Sequence, residues 1–264
     1  MRENVERWGI SNALVTNETP ENLAAAFPDF FDVILVDAPC SGEGMFRKNP
    51  AAIDYWSQAY VLTCAQRQRM ILAEAVKMLK PGGRLVYSTC TFAPEEDEKI
   101  VNWLTQEYDF TILDSQIKDE RVSAGRPEWG NDNPDLTRTL RFWPQDGVGE
   151  GQFAAILQKP GEIEQVAKKK RKNKRNALCL TKNEQELVGE AIDKFNLPEE
   201  LADWRKKALV SNDHVFVPAI EFTGKTKLHI LNNGVELGVL KKKRFEPGHQ
   251  LAEVLGQVEQ NARD

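Results

Sequence analysis

Two cysteines and one aspartate are the residues of this chain best equipped for chemistry. Asp37-Ala38-Pro39-Cys40 and Ser88-Thr89-Cys90 each close a short apolar, β-branched run, Phe31 to Val36 and Arg84 to Tyr87. A thiolate is intrinsically nucleophilic near neutral pH. A lone cysteine after a strand is most simply a small buried hydrophobe, but two of them meeting beside an acid make a reaction centre. A cysteine hydrolase would also need a histidine base, and His214, His229 and His249 all lie far downstream of both phrases. Conjugate addition to a pyrimidine uses a cysteine, a second cysteine and an acid without any histidine.

The flanking elements predict that these residues do meet. Apolar runs between turn signals read as buried strands of a parallel sheet. Between them, Leu62 to Leu79 carries Ile71, Leu72, Ala75, Val76 and Leu79 near helical spacing, with Pro81-Gly82-Gly83 as its stop. Strand, helix, strand predicts a right-handed crossover, and open α/β sheets bind ligands beyond the carboxyl ends of their strands. Cys40, Cys90 and Asp37 are therefore expected on one rim. Pro81-Gly82-Gly83 follows a helix and precedes a strand, the reverse of a nucleotide-binding loop, so it reads as a turn.

The rest of the chain predicts two domains. Its 264 residues can bury a sizeable core, and a net charge of −5 with pI near 5.5 gives no global basic field. Four scattered cysteines without a CxxC pair or nearby histidines predict neither a metal site nor a disulfide framework. With no secretory leader and no long apolar run, the expectation is a soluble, cytoplasmic protein that spans no membrane. Helical endings or starts are expected at residues 2–9, 21–27 and after Pro94-Glu95-Glu96-Asp97-Glu98, whose acids suit the positive end of a helix. Thr139 to Trp143 and Gln152 to Leu157 read as an antiparallel pair closing the sheet. A catalytic domain over 1–160, a basic linker over 161–180 and a small α+β domain over 181–264 follow. In the last of these, Asn232-Asn233-Gly234 reads as a hairpin turn between two strands.

Asp37-Ala38-Pro39-Cys40-Ser41-Gly42 and Ser88-Thr89-Cys90-Thr91, with Gln66-Arg67-Gln68 between them, closely resemble the RNA cytosine-C5 methyltransferases of the Nol1/Nop2/Sun group. The Gly42-Glu43-Gly44-Met45-Phe46-Arg47-Lys48 run and the small terminal domain favour the bacterial RsmF-like branch that modifies 16S rRNA. The resemblance covers nearly the whole chain. It implies an α/β, Rossmann-like class I methyltransferase sheet followed by a PUA-like RNA-binding domain. It implies that Cys90 adds to C6 of cytosine, that Cys40 removes the C5 proton and helps expel the enzyme, and that Asp37 holds the base edge or a cofactor amine. It also implies S-adenosylmethionine as methyl donor, with Asp37, Pro39 and Asn17 as contacts, and 16S rRNA or the small ribosomal subunit as partner.

Cations on the same rim or on exposed segments are expected to meet RNA phosphates: Arg47 and Lys48 after the first strand and Arg67 on the helix. Lys168, Lys169 and Lys170 in the linker, and Lys241, Lys242 and Lys243 leaving the last hairpin, join them. The family's glycine-rich cofactor loop and the acid ending its second strand have no counterpart here, so the sheet is expected to lack its first strands, and the chain to be the C-terminal portion of a longer enzyme. It would then bind S-adenosylmethionine poorly and expose an apolar strand edge through which it self-associates. The rival expectation is a non-catalytic RNA-binding protein that keeps the cysteines as core residues.

Overall fold

The computed structural model describes residues 1–162, 179–222, 227–242 and 244–258. They divide into two units, residues 19–167 and residues 1–18 with 168–264. Helix α1 (Arg2–Arg7) and strand β1 (Leu14–Thr16), expected to open the catalytic domain, thus belong to the second unit.

The larger unit runs α2 (Pro20–Ala26), β2 (Phe31–Asp37), α3 (Gln58–Met78), β3 (Leu79–Thr89) and α4 (Glu98–Tyr108). Strands β4 (Thr111–Leu113), β5 (Val122–Ala124), β6 (Leu140–Phe142) and β7 (Gln152–Gln158) complete it. β2 and β3 are parallel, in register from Val33 opposite Arg84 to Asp37 opposite Ser88. α3 connects them, which is the expected crossover unit. β7 lies antiparallel to β3, and its other side takes β4 and β6, with β5 beyond β6. The α/β architecture read from the sequence is present, including the closing antiparallel pair.

α3 starts where Ser57 accepts a hydrogen bond from the Tyr60 N–H at 3.1 Å, an N-cap. Its Leu72 and Val76 join Leu85, Tyr87, Ile100, Leu104, Phe153 and Leu157 in the core. Pro81-Gly82-Gly83 does not separate helix from strand as expected. β3 begins at Leu79, and the three residues form an irregularity inside it, where the pairing with β2 slips between Phe31 and Val33. Gly82, at φ +72°, supplies the left-handed step there.

Two features of this unit bear on the site. β2 pairs only with β3 among the described residues, and Val33 and Leu35 on one of its faces are 57% and 65% exposed. Glu96, Asp97 and Glu98, expected as acids suited to the positive end of a helix, are fully buried. Arg141 of β6, also buried, pairs with Glu98 and lies 3.1 Å from Asp97, while Thr89 Oγ1 donates to Asp97 at 2.6 Å. The guanidinium is sandwiched among Trp129, Trp143 and Phe153.

The second unit continues with α5 (Lys182–Ile192), α6 (Glu199–Ala202), α7 (Trp204–Lys207), β8 (Leu209–Ser211) and β9 (His214–Val217). β10 (Ile230–Asn233), β11 (Val235–Lys241), β12 (Arg244–Pro247) and α8 (His249–Leu255) follow. An antiparallel sheet in the order β12-β11-β9-β8 packs on a core that includes Val188, Trp204, Val215, Leu237 and Leu251. The hairpin expected at Asn232-Asn233-Gly234 is a different object. β10 pairs with β1, β11 with β9 and β12, so the turn passes the chain between two sheets. Asn233 fixes the corner by exchanging side-chain hydrogen bonds with the backbone of Ile220. Gly234 has φ +77°, and a Cβ there would lie 2.0 Å from the Val217 carbonyl oxygen.

Removing one partner of a buried ion cluster leaves uncompensated charge, at a cost of about 3–5 kcal/mol. Arg141→Ala is therefore expected to lower the unfolding free energy of the larger unit by that amount, read from urea titrations followed by tryptophan fluorescence. Replacing Val33 by Thr and Leu35 by Lys removes the exposed apolar face of β2. Sedimentation velocity is expected to show less concentration-dependent self-association in that variant than in the parent.

Candidate active site

The parallel pairing of β2 and β3 ends both strands on the same side, and the chain turns off each at a cysteine. The Ala38 N–H donates to the Ser88 carbonyl at 2.9 Å, so the pairing holds to the last residue before Pro39. Past this point the Sγ atoms of Cys40 and Cys90 lie 3.3 Å apart, and both residues are half-buried. The Cys90 N–H also points at the Cys40 sulfur, at 3.4 Å. Neither cysteine is sealed in the core, and the two do not face apart.

At this distance either sulfur can donate a hydrogen bond to the other. That hydrogen bond from Cys40 lowers the Cys90 pKa to about 7, against burial and the negative charge of Asp37, which push it up. Cys40, as the donor, is held strongly protonated by the same contact and by burial. The contact thus favours the thiolate at Cys90 and the thiol at Cys40. Asp37, at the exposed end of β2, accepts a hydrogen bond from Ser88 Oγ at 3.3 Å and retains lone pairs for further donors.

The loop after Cys40 is fastened to the loop after Cys90. The Gly44 N–H donates to the Cys90 carbonyl at 2.9 Å. A Cβ at Gly44 would sit 2.5 Å from the Gly151 oxygen and 2.9 Å from that of Cys90, which explains the glycine. Glu43 accepts from Thr91 Oγ1 at 3.0 Å and from the Phe92 N–H at 2.9 Å. Glu96 accepts from the Ser41 N–H at 3.0 Å and from Gln68 Nε2 at 2.7 Å, and contacts Ser41 Oγ. Gln68 also donates to the Pro39 carbonyl at 3.1 Å, tying α3 to the loop before Cys40. Glu43, Gln68, Thr91 and Glu96 were not singled out as functional from the sequence. The signal for Glu96 was four consecutive acids directly after the second cysteine phrase, too many to be buried without partners or protons.

The other expected site residues divide. Pro39 is exposed beside Asp37, and together they offer a carboxylate and one wall to a nucleoside cofactor. Among the described residues nothing closes the opposite side, where β2 has no neighbour. Asn17 belongs to the other unit, where its N–H is bonded to the His229 carbonyl at 3.0 Å. Arg47 and Lys48 are exposed on the loop after Cys40, and Arg47 is engaged by Glu150 at 3.0 Å. Arg67 is exposed on α3, one residue before the buried Gln68. In the second unit Lys241 and Lys242 are exposed at the β11–β12 turn. Lys168, Lys169, Lys170 and Lys243 lie outside the described residues. No group of three or more metal-ligating side chains, and no helix long and apolar enough to cross a membrane, occurs among the described residues.

A family model described as 16S rRNA methyltransferase RsmB/F matches residues 1–158, and one described as RsmF rRNA methyltransferase first C-terminal domain matches residues 193–255. The Vibrio parahaemolyticus protein named ribosomal RNA small subunit methyltransferase F is 33% identical over 264 residues, 97% of this chain and 52% of that one. Its Citrobacter koseri namesake is 46% identical over 165 residues, 62% of this chain and 33% of that one. The chain therefore spans about half the length of the first relative and a third of the second. Among solved structures, NSun6 from Pyrococcus horikoshii with SFG aligns over 61% of this chain and 38% of that one, at 29% identity and a TM-score of 0.49. The first family match takes in both cysteine phrases and the crossover that brings them together, and by it the chain belongs to the RsmB/F family of 16S rRNA methyltransferases.

Proposed function

We propose that this chain carries the covalent half of a cytosine-C5 methylation site acting on 16S rRNA in the cytoplasm. The observation that carries the reading is the 3.3 Å contact between the two cysteine sulfurs at the carboxyl ends of two parallel strands, with Asp37 beside it.

The Cys90 thiolate forms a bond from sulfur to C6 of cytosine, and the C5=C6 π electrons move to C5. Asp37 accepts a hydrogen bond from the exocyclic amine or the protonated N3, which favours the charge distribution of the adduct. S-adenosylmethionine, when bound, supplies the methyl group that C5 takes. Cys40 then acts as base. Its proton is held by the negative charge on Cys90, and that charge disappears once Cys90 is a thioether. With its acceptor gone, Cys40 becomes easier to ionise; it releases its proton to solvent and as thiolate takes the C5 proton. The electrons of the C5–H bond restore C5=C6 and expel Cys90 as thiolate. Cys40 then carries the former C5 proton and Cys90 is again the thiolate, so the pair is back at its starting state and one proton has been released overall. Arg47, Lys48 and Arg67, with Lys241, Lys242 and the linker cations, neutralise RNA phosphates. Because the cofactor contacts form only one wall, the chain by itself is expected to hold S-adenosylmethionine weakly.

Two expectations follow from the thiol pair. Alkylation of Cys90 by iodoacetamide, followed by peptide mass spectrometry, should rise with an apparent pKa about 7. In Cys40→Ala the hydrogen bond that favours the thiolate is lost, and the midpoint should move up toward the ordinary ~8.5, slowing alkylation at neutral pH roughly tenfold. Unchanged profiles would remove the thiol–thiolate assignment. With 5-azacytidine-containing 16S rRNA, a covalent protein–RNA band is expected for the parent and none for Cys90→Ala. Cys40→Ala should retain an adduct on unmodified RNA, because release needs the second thiol. A band that persists in Cys90→Ala would refute the nucleophile.

A further inference from the structure

Four oxygen atoms form an unbroken line between the two cysteine loops. Glu96 Oε1 contacts Ser41 Oγ, Ser41 Oγ lies 2.8 Å from Thr91 Oγ1, and Thr91 Oγ1 lies 3.0 Å from Glu43 Oε2. Each of the three contacts needs one hydrogen. The two hydroxyls supply two, because each carries a single proton. If both carboxylates were ionised, Ser41 would donate to Glu96, Thr91 would donate to Glu43, and the Ser41–Thr91 contact would be lone pair against lone pair at 2.8 Å. A third proton must therefore sit on one of the carboxyl groups.

The remaining hydrogen bonds agree with that count. With the proton on Glu96 Oε1, Oε2 accepts from the Ser41 N–H and from Gln68 Nε2, filling both lone pairs. Ser41 Oγ accepts from Glu96 and donates to Thr91. Thr91 Oγ1 accepts from Ser41 and from the Ala93 N–H at 3.2 Å, and donates to Glu43. Glu43 Oε2, an ionised acceptor, takes Thr91 and the Phe92 N–H. Each of the four oxygens in the line is then satisfied. Burial chooses between the two acids: Glu96 is fully buried and Glu43 is only half-buried, so the neutral form belongs at Glu96.

The groups facing Glu96 point the same way. On α3 they are Tyr60 and Cys64, and on the loop after β2 it is Glu43. From β3 and its loop come Tyr87 and Cys90, and along its own segment Asp97, whose cation is Arg141. Among the described residues no cation donates a hydrogen bond to Glu96, whose carboxyl is raised above its ordinary range by burial first and by Glu43 as a further cause.

We propose that Glu43 and Glu96 hold one proton between them, carried on Glu96 and passed through the hydroxyls of Ser41 and Thr91, as the clasp that sets the spacing of the two thiols. Ser41 follows Cys40 and Thr91 follows Cys90, so the clasp is one residue from each sulfur. A neutral Glu96 also removes a negative charge that would oppose the Cys90 thiolate. Glu96 and Glu43 are positioning residues. Their bearing on methyl transfer rests on the proposed role of Cys90, while the shared proton does not.

Infrared difference spectroscopy of the full chain tests this. At neutral pH the parent is expected to show the carbonyl stretch of a protonated carboxylic acid, and Glu96→Gln, whose amide imitates that acid, is expected to lose it. Thr91→Val gives a second test that keeps Glu96. Cutting the line lets Ser41 donate to Glu96, so the acid band should vanish and the alkylation profile of Cys90 should shift to higher pH. No such band in the parent, a band unchanged by Glu96→Gln, or a band surviving in Thr91→Val would each overturn the proposal. The band reports the proton whether or not an RNA adduct forms, so failure of either experiment leaves the other readable.

Discussion

Two cysteine sulfurs 3.3 Å apart stay together only while the two loops that carry them cannot drift. The contact between the sulfurs is too weak to impose that by itself; hydrogen bonds contribute about 0.5–1.5 kcal/mol net. What holds the loops is a set of ties on either side of it. The β2–β3 pairing persists to Ala38, Gly44 bonds the Cys90 carbonyl, and two carboxylates reach across to the hydroxyls and amides that follow each cysteine. A one-residue slip in any of them would move a sulfur by more than the contact tolerates. The chemistry at Cys90 is in this sense a property of the parallel pairing and of the buried acids, and only then of the cysteines.

Burying three consecutive acids is an expensive way to build such a clasp, and the structure treats each differently. Glu98 and Asp97 share Arg141, whose guanidinium is also covered by Trp129 and Trp143. Glu96 faces the other way, toward Ser41 and Gln68, and has no cation. One segment therefore anchors α4 to β6 through charge and anchors the Cys40 loop through hydrogen bonds. Tyr87 joins the two by donating from its hydroxyl to the Glu96 carbonyl at 2.6 Å. An unpaired charge at any of these positions would cost several kcal/mol, which makes pairing or protonation of each acid a condition of folding.

Much of this was legible in the sequence, and what escaped it shares a cause. Phe31 to Val36 and Arg84 to Tyr87 announced themselves by composition and by the turn signals that bound them, and α3 by its apolar spacing. The order of the two cysteine phrases then dictated one rim. The misreadings all concern which segment pairs with which. Asn232-Asn233-Gly234 does turn, with Gly234 left-handed, but no local signal says that β10 will find β1 and β11 will find β9. Pro81-Gly82-Gly83 does bend the chain, yet long-range pairing with β2 absorbs the bend into a strand. Glu96 read only as an acid suited to a helix start, because its burial is decided by Gln68 and Ser41, both distant in sequence.

The site is unequal on its two sides, and the inequality follows from the sheet. The thiols lie toward β3, where β7, α3 and the acid cluster brace every loop. Asp37 and Pro39 lie at the end of β2, beyond which Val33 and Leu35 are open to solvent. Groups on the braced side can be set to a fraction of an ångström by hydrogen bonds already present, whereas a ligand bound on the open side meets one wall. The thiolate character of Cys90 should then depend on Cys40, Glu43, Glu96 and their relays alone. Whatever encloses a nucleoside against Asp37 must add surface without disturbing them. An edge strand suits that division, because a strand or helix docking beside β2 reaches Asp37 without touching the loops that hold the sulfurs.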